Sequence, residues 1–233
     1  MVVAPTITKV SSSVVASSNT TALSKLCQAN LGILSQKLGL LDALTAKHDP
    51  ATAKELFQTT CPLVQASVGQ HFRHSLDHME LAASIAEKPG GRLPELHYDL
   101  RERGCASESD MDAATERIVN MIHQLEVIQL MDTSTTMTST GDDDTSSSNT
   151  VMPKQQMPAQ AFFMLAGDSD TEYALATSIG RELGFAAHHA IHHMALVKLI
   201  ATQTWGLDAT TDLPEGFGRA PSTINFDNTN TQQ

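Results

Sequence analysis

Between residues 179 and 200, Ile179, Glu182, Ala186, His189, His193, Leu196 and Ile200 recur at alternating spacings of three and four. That interval places them on a single seam of an α-helix, and a seam of this kind is stable only when other helices cover it. The same stretch, "GFAAHHAIHHMALVKLIA", packs four histidines into six positions. His189 and His193 fall inside the seam, one turn apart and offset by about 40°, the spacing by which a helix offers two imidazoles to one ion. His188 and His192 lie further round.

A second segment, "SVGQHFRHSLDHMELAASI", repeats the device: Ser67, His71, His74, His78, Leu81 and Ile85 follow the same spacing. Burying several imidazoles in an aliphatic interior is costly unless each finds a partner. A lone buried histidine is more often a hydrogen-bonded core residue than a ligand, but two clusters on helices that can be neighbours point to a shared divalent cation. Spacing alone does not choose among His71, His74 and His78. Glu182 sits on the seam two turns before His189, within reach of groups around a metal shell, or of an ion pair with Arg101 or Arg103.

Aromatic residues are only 4% of the 233-residue chain, so its core must be aliphatic, which favours helix packed on helix. The stripe Leu23, Cys27, Leu31, Leu34, Leu38, Leu41 predicts a first helix of about 25 residues. After an interruption carrying two prolines, a second is expected from Ser67 to Ala86. A third, capped by Ser107 or Ser109, has the stripe Ala114, Ile118, Met121, Leu125, Ile128 and should stop near Met131. A fourth, capped by Thr177 or Ser178, should run to Trp205. "AFFMLAG" reads as a short strand before it. The fold class expected is all-α, a four-helix bundle over residues 22–220, with tails at 1–21 and 221–233 and a low-complexity insertion at about 132–160 that buries too little to order itself. The C-terminal tail carries too many turn residues for a helix.

A formal net charge of −11 repels a phosphate backbone and argues against nucleic acid as a partner. No apolar run reaches the length needed to span a bilayer, so no membrane partner is expected. Cys27, Cys61 and Cys105, an odd number without CxxC spacing, suit a reducing, cytoplasmic setting. The Ser/Thr-rich start, without an acidic residue before Asp42, leaves organelle import as the alternative. Cys105 follows a glycine in a plain loop, and the acidic run "GDDDT" lacks the further oxygen ligands of a calcium loop.

At its histidines the chain resembles the DinB-like family of metal-binding four-helix bundles. "SVGQHFRHSLDH" is similar to that family's second-helix segment, which implies His74 as ligand and Asp77 as the acid three residues on. "HAIHHMALV" is similar to its last-helix segment, which implies His189 and His193 as ligands and His192 as a neighbour. His71 and His78 would then flank the ligand His74. The resemblance implies a three-histidine divalent site, and for some members thiol-dependent transfer or isomerisation. Three neutral imidazoles with positions left for water suit zinc, and nickel, iron and manganese remain admissible. A small-molecule substrate, a low-molecular-weight thiol partner and metal-dependent hydrolysis or transfer follow as expectations, with Asp77 orienting an imidazole or accepting a proton. The oligomeric state, a homodimer included, is left open.

Overall fold

The computed structural model describes residues 20–87, 92–100, 103–136, 153–167 and 170–230. Among them are six α-helices and a three-stranded sheet: α1 (Ala22–Lys47), α2 (Pro50–Gln58), α3 (Val68–Ser84), β1 (Glu95–His97), α4 (Met111–Thr136), β2 (Pro158–Met164), β3 (Glu172–Ser178), α5 (Ile179–Gln203) and α6 (Pro221–Asn230). α3 packs against α5 and α4, and α1 against α4 and α5. The core between them is leucine, isoleucine and alanine, with Trp205 and Phe217 closing one part of it. None of the described helices is long and apolar enough to cross a membrane.

Local chemistry sets the helix starts. Thr21 caps α1 by accepting from the Ser24 N–H, and Ser67 and Gln70 form a reciprocal capping box at α3, satisfying donors that a helix start leaves orphaned. Ser178 caps α5 through the Arg181 N–H. At α4 neither expected serine performs this task. An Asp110 oxygen accepts from the N–H groups of Asp112 and Ala113, while Ser107 is buried in a 3-10 turn and receives Arg117.

Four expectations are corrected. The proline-bearing interruption contains α2, because Asp49 accepts from Ala51 and Thr52 and Pro50 occupies the first turn, where its missing N–H is harmless. α4 continues beyond Met131 to Thr136. Part of the expected insertion carries regular structure: a 3-10 turn, Lys154–Gln156, leads into β2, and the Met157 carbonyl accepts from Ile179. Residues 137–152 of that insertion lie outside the described residues, as do 1–19 of the N-terminal tail. Finally, α6 forms within the expected C-terminal tail, an exposed helix with Arg219 paired to Asp227.

The sheet is legible in the sequence only in part. β2 pairs parallel with β1 and antiparallel with β3, and β3 runs straight into the α5 cap. This delivers Tyr98, just after β1, to the face of α3 and α5.

Gly69 marks the tightest approach around α3. A Cβ there would collide with the Glu108 carbonyl and come within 2.9 Å of Phe57 Cε1. Alanine ordinarily favours a helix over glycine by about 1 kcal/mol. Gly69→Ala is instead expected to lower unfolding stability by about 2 kcal/mol through overpacking, measured from urea midpoints. A stabilised variant would show that the 3-10 turn at Glu108 yields.

Candidate metal centre

α3 and α5 lie side by side and present their histidines to one another. One ring nitrogen from each of His74, His189 and His193 lies within 4.8 Å of the other two. His74 Nε2 is 2.9 Å from His189 Nε2, and His189 Nε2 is 3.1 Å from His193 Nε2. Ligands about 2.0–2.1 Å from a tetrahedral zinc stand roughly 3.3 Å apart, so these separations are close to one metal shell. Among the described residues, no other group of histidines, cysteines and carboxylates converges in this way.

The hydrogen-bond logic favours a cation. An imidazole nitrogen carries either one proton or one lone pair, yet His189 Nε2 faces two other Nε2 atoms at once. A bound ion takes lone pairs from all three. Burial, then the neighbouring His189, His74, His71 and His192, push the His193 imidazole down to about 2, which keeps it neutral as a ligand must be. The three rings are partly exposed, so the shell is reachable from solvent.

On the buried side the site is walled by aromatic rings. His78 is buried, 4.2 Å from His189 by ring centroids, and stacks on Tyr98 at 4.8 Å. Phe185 stacks on His189 at 5.6 Å. Tyr98 donates to Glu182 Oε2 at 2.5 Å, and burial followed by the Glu182 carboxylate pushes its hydroxyl well above the ordinary tyrosine range. Glu182 is fully buried and also receives Thr177 at 2.5 Å and Arg181 at 2.8 Å. Its cationic partner is thus Arg181; Arg103 is exposed and Arg101 lies outside the described residues.

The other expected site residues fall differently. Asp77 meets guanidinium groups rather than an imidazole: its two carboxylate oxygens accept from Arg73 at 2.5 Å and from Arg117 at 2.6 Å. Arg117 also grips Glu80, and Arg73 pairs with Glu108. This ionic cluster borders a cleft of about 570 Å³ that Cys105 and His97 also line, and no histidine of the triad does. Both Asp77 oxygens are thus engaged by guanidinium groups and neither meets an imidazole, so an ion-pair role takes the place of the one expected for Asp77. His192 is exposed, with its ring 5.6 Å from that of His193. His71 is buried, and its Nδ1 lies 2.8 Å from His193 Nδ1. Sequence reasoning places His71 and His78 on the inward seam, but misses Tyr98, which lies outside both helices, and Phe185, which stands one turn before His189 yet beside the seam of Glu182 and Ala186 rather than on it.

No protein-family model matches the chain, and no solved structure matches it. The chain is 31% identical over 129 residues to "FK506-binding protein 5" of Rhizopus delemar, a stretch that covers 55% of this chain and 26% of that protein. The chain therefore matches about a quarter of the length of that relative.

Proposed function

We propose that this chain is a DinB-like protein in which α1, α3, α4 and α5 act as a four-helix bundle that holds one divalent ion, zinc in the first place, through His74, His189 and His193. Its function on this reading is metal-dependent transfer or hydrolysis on a small molecule, with a low-molecular-weight thiol as cosubstrate. The observation that carries it is the convergence of three ring nitrogens, one of them facing two others at 2.9 and 3.1 Å, an arrangement that neutral imidazoles alone do not satisfy.

A bound ion would supply Lewis acidity and lower the pKa of a water or thiol joining its shell. The chain's own residues do the rest. His74, His189 and His193 present lone pairs while remaining partly exposed, which leaves access for a substrate. Phe185, Tyr98 and His78 keep water from the buried side, and the Glu182 carboxylate holds Tyr98 in place. The second reading is a structural tie, in which the ion only fastens α3 to α5; the direct packing of these two helices favours it.

Metal analysis of protein purified without a histidine tag should find close to one divalent ion per chain. Cobalt substitution then separates the two readings, because an open shell accepts an added small thiol and develops a thiolate-to-cobalt band, whereas a closed shell leaves the spectrum unchanged. Absence of any stoichiometric ion, even after zinc loading, would overturn both.

A further inference from the structure

Beyond the three ligands, one buried imidazole has an unusual set of contacts. His71 lies one turn before Ser75, whose hydroxyl donates to the His71 carbonyl at 2.9 Å. The residue is 7% exposed. Its Nδ1 is 2.8 Å from His193 Nδ1, while Nε2 is buried without a hydrogen-bond partner. The ring therefore makes one directed polar contact, and that contact is to a residue of the triad.

Resting on the metal reading above, we propose that His71 is a positioning residue for the centre: its Nδ1 accepts the Nδ1 proton of His193, which leaves the His193 Nε2 lone pair facing His74 and His189. The reasoning is a matter of counting protons. Each neutral ring carries one, and two Nδ1 atoms at 2.8 Å require that only one of them be protonated. If His71 donates, the His193 proton must sit on Nε2, where it blocks ligation and points at His189 Nε2, 3.1 Å away. If His71 accepts, His193 is a ligand and the His71 proton sits on Nε2. Metal binding thus selects the second arrangement, with the His71 proton on Nε2 and the His193 proton on Nδ1. No proton is gained or lost by the pair.

Fixing a ligand's tautomer through its second nitrogen is worth about 10–100-fold in metal affinity in comparable sites.

The test is zinc titration of the full chain with a competing chelator, in wild type, His71→Phe and His71→Asn. Phenylalanine fills the space and removes the acceptor; asparagine keeps an acceptor where Nδ1 stood. His71→Phe should bind zinc about 10–100-fold more weakly, and His71→Asn should recover most of that loss. Circular dichroism of each apo variant checks that helicity is intact. In wild type, ¹⁵N chemical shifts of the histidine rings should place the His71 proton on Nε2 in the zinc-loaded form. Equal affinity in all three proteins, equal loss in both variants, or a zinc-loaded His71 still protonated on Nδ1 would overturn the assignment while leaving the three-ligand centre standing. A wild type that binds no zinc would remove the centre itself.

Discussion

Alanine at His74, His189 or His193 is expected to leave the protein without stoichiometric metal and to bring the melting temperature of the zinc-loaded form down to that of the apo form. The three ring nitrogens share one locus, so removing any one leaves two ligands, too few for a stable zinc shell. An ion bound only by the native state stabilises it by mass action, about 4 kcal/mol at a thousandfold excess over its dissociation constant, or on the order of 10 °C for a chain of this size. His188 is exposed and about 100° round the helix from His189, so His188→Ala should keep the ion. His71→Ala and His78→Ala should keep it with weaker affinity. Metal per chain, measured by mass spectrometry across the six variants, decides the matter. Full occupancy in His74→Ala with an empty His78→Ala would shift the ligand along α3, and six indistinguishable results would end the metal reading.

Replacing Lys37 by methionine is expected to stabilise the protein at neutral pH. Lys37 is fully buried on α1. Its ammonium donates to Ser75 Oγ, approaches the Phe72 carbonyl at 3.4 Å and lies 4.4 Å from the centre of the Phe72 ring. Burial first, then the Arg117 charge, hold its pKa down to about 7, with Asp77 acting in the opposite direction. In the unfolded chain a lysine keeps its proton to about pH 10.4. Between about pH 7 and that value the unfolded state binds more protons than the folded state, so stability rises with pH across the window, and the full penalty is present below about pH 7. Lys37→Met should lose this dependence and gain about 2 kcal/mol at pH 7, less than the shift alone implies because Ser75 and Phe72 lose a donor. Urea midpoints at several pH values from about 6.5 to 9.5, spanning most of that window, provide the check. Taking the difference between variant and wild type isolates Lys37 from Cys27, whose buried thiol, pushed up to about 12, contributes the opposite slope above about pH 8.5. A variant less stable than wild type at pH 7, or two parallel pH profiles, would mean that the cation is stabilising where it lies.

The long helices and the inward histidines of α3 and α5 were legible in the chain because both depend on local intervals of three and four residues, which the helix itself converts into a face. Ser178 was legible for the same reason, since a cap acts on N–H groups a few residues away. Short-range rules failed where a distant partner settled the outcome. β1 and β3 acquire their strand character from pairing with β2, and the ordered turn at 154–156 packs on the start of α5, with Gly180 admitting the Gln155 carbonyl. Periodicity put His71, His74 and His78 on one seam without ranking them. Only the register of α3 against α5 puts His74 with His189 and His193, turns His71 toward the far nitrogen of His193, and lays His78 against Tyr98. Asp77 looked free to serve an imidazole in the sequence, but Arg117, forty residues on and carried by α4, reaches it first. A residue's inclination to face inward is a property of its own helix, whereas the partner it meets there depends on how two helices slide past one another, and that is decided by the packing of whole side-chain surfaces.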